Sequence, residues 1–379
     1  MLLLLSTLVC ESFQFSIHPA RPHRIVWSEL SSTATSVEEY ESTWKENVKV
    51  LCAERNIPFD RVKNARDLSS VNDSPVKSGR VYRMGKVTDA TKKDVETLFD
   101  ELHVRTLVDL RSRTELRDEV NGVHADVEPT KDEDVDVFKG FTDLTWYPKK
   151  VLEKSFDDAD AAVKASSGEV ESTNVKSDLR RPERHFVSLM NEFKYVKGTL
   201  KKLRKRDLAK AVLKSPGALV SKRIRSNIKG VFLKEINEGG LPMLNELVLS
   251  MAGPGIKYVL NLCADKNRHP VAIYCTAGKD RTGIIASIIL AAVGAADKDI
   301  VEDYSLSANV YAEINDHKAM VGALSQRNLD AKTFLTAPPE VMQQTLDTLR
   351  ENYGSIEGYL DEIGFDESDR LRLIDALIA

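Results

Sequence analysis

Short apolar, β-branched runs alternate along the chain with stretches whose apolar positions recur at three and four residues. Gly79–Gly85 (GRVYRMG), Val104–Leu110 (VRTLVDL), His185–Leu189 (HFVSL) and Pro270–Tyr274 (PVAIY) predict strands, with Val104–Leu110 apolar enough to be buried. Helical spacing predicts helices over Ser36–Asn56, Asp89–Leu102, Gly240–Ser250, Ile256–Asp265, Thr282–Val293 and Asp297–Leu306. Ser36 is a candidate cap for the first of these, with acidic residues crowding its opening turns. Pro338-Pro339-Glu340 opens a further helix, and helical patterns continue over Ser355–Gly364 and Glu367–Ile378. Strand, helix, strand is the rhythm of an α/β fold, here with an all-helical cover after Gly294.

Two stretches interrupt the pattern. Glu115 to Asp136 holds nine acidic and two basic residues, and the chain stays polar to about Asp178 apart from an aromatic island at Phe138–Tyr147. A flexible, solvated insertion is expected there. Charge then reverses: Lys194 to Lys234 carries fourteen Lys or Arg and one acid, Asp207. Leu200, Leu203, Leu208, Val212 and Leu213 are spaced as on a helix. A solvated cationic face, a lid over an anionic substrate and a contact with an anionic membrane surface all fit that pattern. The expected organisation is a targeting segment and linker over 1–35, the front of the catalytic domain over 36–114, the acidic insertion over 115–184, and the rest of the domain over 185–379.

Composition narrows the classes further. The chain has 379 residues, 42% hydrophobic and 30% charged, with a net charge of -4, which suits a globular protein and gives no whole-chain argument for nucleic-acid binding. Its four cysteines, Cys10, Cys52, Cys263 and Cys275, form no CxxC pair and no zinc spacing, so a cysteine that matters acts as a single thiol. No run spans a bilayer. The apolar opening, MLLLLSTLVC, resembles a targeting core but lacks a preceding basic residue and a small-x-small cleavage site. A cytoplasmic or organellar (plastid) location is expected over a secreted one.

The chemistry concentrates in VAIYCTAGKDRTGIIASIIL, Val271 to Leu290. An apolar strand runs into Cys275, and Arg281 and Thr282 follow at the start of an apolar helix. A tight strand-to-helix loop turns successive N–H groups inward as a nest for a phosphate-sized anion. Gly278 and Gly283 permit backbone geometry that a Cβ obstructs, while Thr276, Ala277 and Lys279 complete the cradle. The same N–H groups and the helix dipole favour the thiolate, the nucleophilic form of Cys275. Arg281 offers a planar fork for two phosphate oxygens, and the Thr282 hydroxyl can stabilise the departing sulfur. The implied reaction is attack on phosphorus, a cysteinyl-phosphate intermediate, then hydrolysis, with no metal or cofactor. GKDRT is not a nucleotide loop, because Ile273 and Asp280 stand where that motif needs Gly and Ser or Thr.

CTAGKDRTG resembles the signature of the cysteine-based protein tyrosine phosphatase superfamily, and specifically the IphP-type tyrosine/serine phosphatase family of bacteria, fungi and plants. Arg80–Gly85 (RVYRMG) is similar to that family's R-x-x-R-S/G opening, and Val108–Ser112 (VDLRS) with Glu115 to its DLRS-x-x-E segment. Ala337–Leu360 resembles its C-terminal helices. The resemblance covers roughly Gly79–Ser112 and His185 to the C-terminus. It implies a protein-tyrosine-phosphatase-like, mostly parallel central sheet flanked by helices, with an added helical lid or cover. It also implies a phosphoprotein or phosphoinositide substrate, Lys279 being an extra contact for inositol phosphates.

The sequence departs from the family pattern at two places. Tyr274 stands where His usually precedes the nucleophile, and no W-P-D tripeptide supplies a general acid. Asp280 is the first candidate acid, Glu192 follows the strand at the position where one is expected, and Asp109 is third. Asp109 and Arg111 are candidates both for substrate contact and for support of the loop. A phosphate-binding module without turnover, a sulfurtransferase and an arsenate reductase are the alternatives to a phosphatase.

Overall fold

A computed structural model of the protein describes residues 37–120, 137–146, 182–202, 222–311 and 334–378. The first helix, α1, runs Val37–Arg55. A two-residue strand β1 (Arg66–Asp67) leads to β2 (Val81–Met84), then to α2 (Lys92–Glu96), which continues through a wider turn to Glu101. Next come β3 (Thr106–Asp109), α3 (Arg113–Val120), β4 (Thr142–Trp146), β5 (Glu183–Val187) and α4 (Glu192–Lys202). Helices α5 (Lys222–Met251) and α6 (Gly253–Cys263) precede β6 (Val271–Tyr274) and α7 (Asp280–Ala292). The chain closes with α8 (Asp297–Leu306), α9 (Pro339–Tyr353), α10 (Ile356–Glu362) and α11 (Glu367–Ile378).

The sheet has the order β1-β2-β6-β3-β5-β4, parallel throughout except for β1. It is therefore the mostly parallel, helix-flanked α/β sheet that the sequence predicts. Central strands β2, β3 and β6 are buried at every position, as strands covered on both faces must be. Alternation sorts their side chains. Val81, Val108, Val271, Ile273 and Cys275 join the larger core with α5 to α11, whereas Tyr82, Met84, Leu107, Ala272 and Tyr274 join the smaller one. Helix α7 is buried from Thr282 to Leu290, which explains why it is apolar all round.

Strand β6 lies between β2 and β3, and Met84, Asp109 and Tyr274 stand level across the three. The carboxyl ends of the five parallel strands, at Met84, Asp109, Trp146, Val187 and Tyr274, thus lie along the same edge. In open parallel sheets that edge, beside such an inserted strand, is where ligands bind.

Three elements differ from expectation. The aromatic island inside the expected flexible insertion forms β4, paired with β5 along its whole length. Its ring neighbours explain this: Phe141 packs on Phe99 at 5.1 Å between centroids, and the Arg184 guanidinium lies 3.6 Å above Phe138. The predicted strand at His185–Leu189 begins two residues earlier, at Glu183. Helix α5 is broken at Gly240 (φ 55°), so its second half begins where a helix is expected, and a further helical segment precedes it from Lys222. The apolar N-terminus and residues 203–221 of the basic stretch lie outside the described residues. Among the described residues, no helix is long and apolar enough to cross a membrane.

Ile289→Ala removes a fully buried side chain from α7 and is expected to lower the unfolding free energy by about 2–5 kcal/mol in urea denaturation. Leu371→Ala, at a position 60% exposed, should stay within about 0.5 kcal/mol.

Candidate active site

The loop from Cys275 to Arg281 is shaped by bonds to its outer side. Lys86 N donates to the Thr276 carbonyl at 3.2 Å. Asn64 Nδ2 donates to the Ala277 and Gly278 carbonyls at 3.2 and 2.9 Å, and Arg83 Nη2 to the Gly278 carbonyl at 2.8 Å. Because each trans peptide carries its N–H opposite its C=O, these bonds turn the N–H groups of Ala277, Gly278 and Lys279 inward. The Lys279 carbonyl accepts from Gly283 N at 2.8 Å as α7 begins, so the nest runs directly into a helix N-terminus.

Gly278 is required here for two reasons. Its φ is +67°, and a Cβ would stand 2.4 Å from the backbone carbonyl of Met84 at the end of β2. Gly283 serves a different purpose: a Cβ there would meet the Tyr304 ring at 2.9 Å, so its absence lets α8 approach α7.

Cys275 is 3% exposed, at the base of the loop on the Ile273 face of the sheet. Arg281 donates from Nη1 and Nη2 to the two carboxylate oxygens of Glu115, both at 2.6 Å. Nη1 also reaches the Leu110 carbonyl at 3.5 Å, so of the five N–H groups of a guanidinium these bonds leave Nε–H and one Nη2 hydrogen for an oxyanion. Glu115 also accepts from Thr276 Oγ1 and from Ser112 N, each at 2.8 Å, and its own N–H donates to Ser112 Oγ as α3 starts. Burial opposes ionisation of Glu115, but the Arg281 guanidinium outweighs it and holds the carboxyl well below its ordinary range. Arg281 is correspondingly held charged, burial being overcome by Glu115 with a further contribution from Cys275.

Tyr195, on α4, interacts electrostatically with Arg281, Glu115, Asp280 and Cys275. Burial pushes its phenol up to about 12, so it faces the site as a neutral hydroxyl. Thr282 Oγ1 is buried with no hydrogen-bond partner among the described residues, leaving it available to whatever occupies the nest. Asp280, partly exposed at the mouth, lies 2.9 Å from Lys279 Nζ.

Other residues chosen from sequence point elsewhere. Lys279 is fully buried, and its Nζ donates to the carbonyls of Phe334 and Thr336 at 3.1 and 2.8 Å, tying the loop to the chain before α9 instead of reaching for a ligand. Asp109 and Arg111 pair with each other in the interior, at 2.9 Å from Nε and 2.8 Å from Nη2. Arg111 lies 5.6 Å from the Tyr274 ring centroid. Together they back Tyr274 on the sheet face opposite Ile273 and Cys275, as support for the strand end rather than as contacts for a ligand. Burial, then the Asp109 charge, pushes the Tyr274 phenol far up. The Glu192 side chain is outside the described residues.

Against this geometry, a family model described as the tyrosine phosphatase family matches residues 57–379. The chain belongs to that family. It is 33% identical over 128 residues to a tyrosine-protein phosphatase of Nostoc commune, a stretch covering 32% of this chain and 43% of that protein. It is 30% identical over 124 residues to the triple specificity protein phosphatase PtpB of Mycobacterium tuberculosis, covering 29% and 44% respectively. The chain thus spans less than half the length of these curated relatives.

Glu115 and Tyr195 complete the site without having been singled out as site residues from sequence. Glu115 has a signal in Ser112-x-x-Glu115, a capping box whose acid does double duty; Tyr195 has none.

Gly278→Ala is expected to reduce orthophosphate binding below detection in calorimetry, because the loop must move to clear Met84. Glu115→Gln should lower kcat/KM by about 10²-fold, as the fork loses its charged anchor. Since the Glu115 carboxyl is held below its ordinary 4.5, it contributes stability above that pH, lost as pH falls through the depressed range. Thermal melts of Glu115→Gln should accordingly show a flatter decline below pH 4.5 than the wild type.

Proposed function

We propose that the protein is a cysteine-dependent phosphatase that hydrolyses phosphomonoesters on protein. The observation that carries this reading is the set of inward N–H groups above Cys275, flanked by Arg281 at the start of α7. The Cys275 thiolate attacks phosphorus, an S–P bond forms, and the bond to the leaving oxygen breaks. Charge building on the three equatorial oxygens is met by the N–H groups and by Arg281. Asp280, partly exposed at the start of α7, is the carboxyl we assign to give the leaving oxygen its proton. Water then attacks phosphorus, the S–P bond breaks, and the sulfur leaves as a thiolate supported by the nest and the Thr282 hydroxyl.

Phosphotyrosine, in keeping with the name of the Nostoc commune relative, and phosphoserine beside it are the substrates proposed. The phosphoinositide alternative loses one of its two supports, because Lys279 is committed to Phe334 and Thr336. Of the basic stretch, Lys194 is buried with Nζ 2.7 Å from the Leu189 carbonyl, whereas Lys197 and Lys201 are exposed.

The test is phosphate release by wild type and Cys275→Ser, with chelator present, from phosphotyrosine and phosphoserine peptides and from phosphoinositides. Cys275→Ser should lose at least about 10³-fold in kcat, and Arg281→Lys about 10²-fold. Asp280→Asn should slow phosphoserine far more than p-nitrophenyl phosphate, whose leaving group needs no proton. Orthophosphate binding without turnover of any ester would replace the phosphatase with a binding module; turnover confined to phosphoinositides would reverse the choice of substrate.

A further inference from the structure

Behind the loop lies a charged cluster with no contact to solvent. Arg66 on β1, Arg83 on β2 and Asp303 on α8 are 0, 1 and 2% exposed. Arg66 Nε donates to Asp303 Oδ1 and Arg66 Nη2 to the Asp303 carbonyl, both at 2.6 Å; Arg83 Nη1 donates to Asp303 Oδ2. Arg66 Nη1 also holds Asn64 Oδ1 at 2.6 Å, which fixes the amide so that Nδ2 faces the loop. Ser307 Oγ accepts from both Asn64 Nδ2 and Arg83 Nη2 at 3.1 Å. Two guanidiniums and one carboxylate leave one buried positive charge uncompensated.

Resting on the phosphatase reading above, we propose that Arg66, Asp303 and Arg83 form a positioning device: Arg83 holds the Gly278 carbonyl outward and places the surplus positive charge behind the Cys275 thiolate, while Asp303 and Arg66 hold Arg83. Distances carry the first part, since Arg83 Nη2 is 2.8 Å from the Gly278 carbonyl. The second rests on the same contact, which sets the buried surplus charge against the loop that begins at Cys275, and reciprocity supports it. Burial and the neighbouring Arg66 draw the Arg83 guanidinium down to about 10, and the Asp303 carboxylate and the Cys275 anion oppose that. An anion that favours the charged arginine is itself favoured by it to the same extent. The groups facing Cys275 electrostatically are Arg83 from β2, Arg281 from α7 and Tyr195 from α4. Arg83 is the one of them with no route to substrate, because a buried wall of side chains and the loop itself separate it from the mouth.

The experiment compares full-length wild type, Arg83→Gln and Arg83→Lys, each checked by circular dichroism. It measures alkylation of Cys275 by iodoacetamide at pH 6 and pH 9, and inhibition of p-nitrophenyl phosphate turnover by orthophosphate. Arg83→Gln should slow alkylation about tenfold at pH 6 and less than about threefold at pH 9, where the thiolate forms without help. Arg83→Lys keeps the charge but not the fork, so alkylation at pH 6 should stay within about threefold while orthophosphate inhibition weakens about fivefold or more. Equal slowing in both variants, or an unchanged pH 6 rate in Arg83→Gln, overturns the proposal. Should Arg83→Gln not fold, Arg83→Lys carries the test alone: alkylation at pH 6 slowed more than about threefold, or unchanged orthophosphate inhibition, overturns the proposal. Absence of Cys275-dependent turnover in the wild type would sink the phosphatase reading instead, and the alkylation comparison would still stand.

Discussion

Peptide planarity links what happens behind the signature loop to what happens in front of it. Bonds that draw the carbonyls of Thr276, Ala277 and Gly278 outward onto Lys86 N, Asn64 and Arg83 necessarily present the following N–H groups to Cys275. An anion site made this way consists of backbone, which holds no charge of its own to be neutralised by proton transfer and is already oriented when the ligand arrives. The rest of the architecture can be read as what keeps those peptides from turning over. Met84 at the end of β2 leaves room only for a glycine at position 278, and Gly85 N is bonded to the Lys63 carbonyl at 2.7 Å beside it.

Two ion pairs of different character frame the loop. Arg281 with Glu115 is partly open, 16% and 34% exposed at the side chains, and its geometry aims a charged fork while sparing part of it for a ligand. Arg66 with Asp303 and Arg83 is closed to solvent. Buried ion pairs are weak contributors to stability, because the desolvation they suffer offsets the attraction they gain. Their retention makes sense where a direction or a local charge is worth more than packing energy. Here the cluster also joins α8 to the sheet, so the helical cover and the loop share one set of bonds.

How much of this could be read in advance differs from residue to residue. Cys275, Arg281 and Thr282 were legible because their spacing sits on a strand-to-helix junction, and local chain geometry alone makes a nest there. The buried strands were legible from composition, since faces covered on both sides leave no polar positions to confuse the period. Lys279 was misjudged in direction: a charged residue in a loop looks free in sequence, but its partners are two carbonyls some 55 residues away, whereas Asp109 and Arg111, for which support was one of two expectations, pair with each other. Strand β4 was missed because its stability comes from Phe99 and Arg184, which the local sequence of Phe138–Tyr147 does not contain.

Sequence by itself determined that a thiol, a guanidinium and a hydroxyl stand at fixed spacing on a strand-to-helix junction, because that is a local property of seven or eight residues. It also determined the alternation of strands and helices, which depends on periodicity over a few turns. Only the tertiary structure decided which way each polar group points. Arg83 in an apolar strand and Asp303 in a helix look like isolated exceptions along the chain, 220 residues apart. They become one device because folding brings each to a partner that lowers the cost of burying it, while the surplus positive charge is left beside the loop.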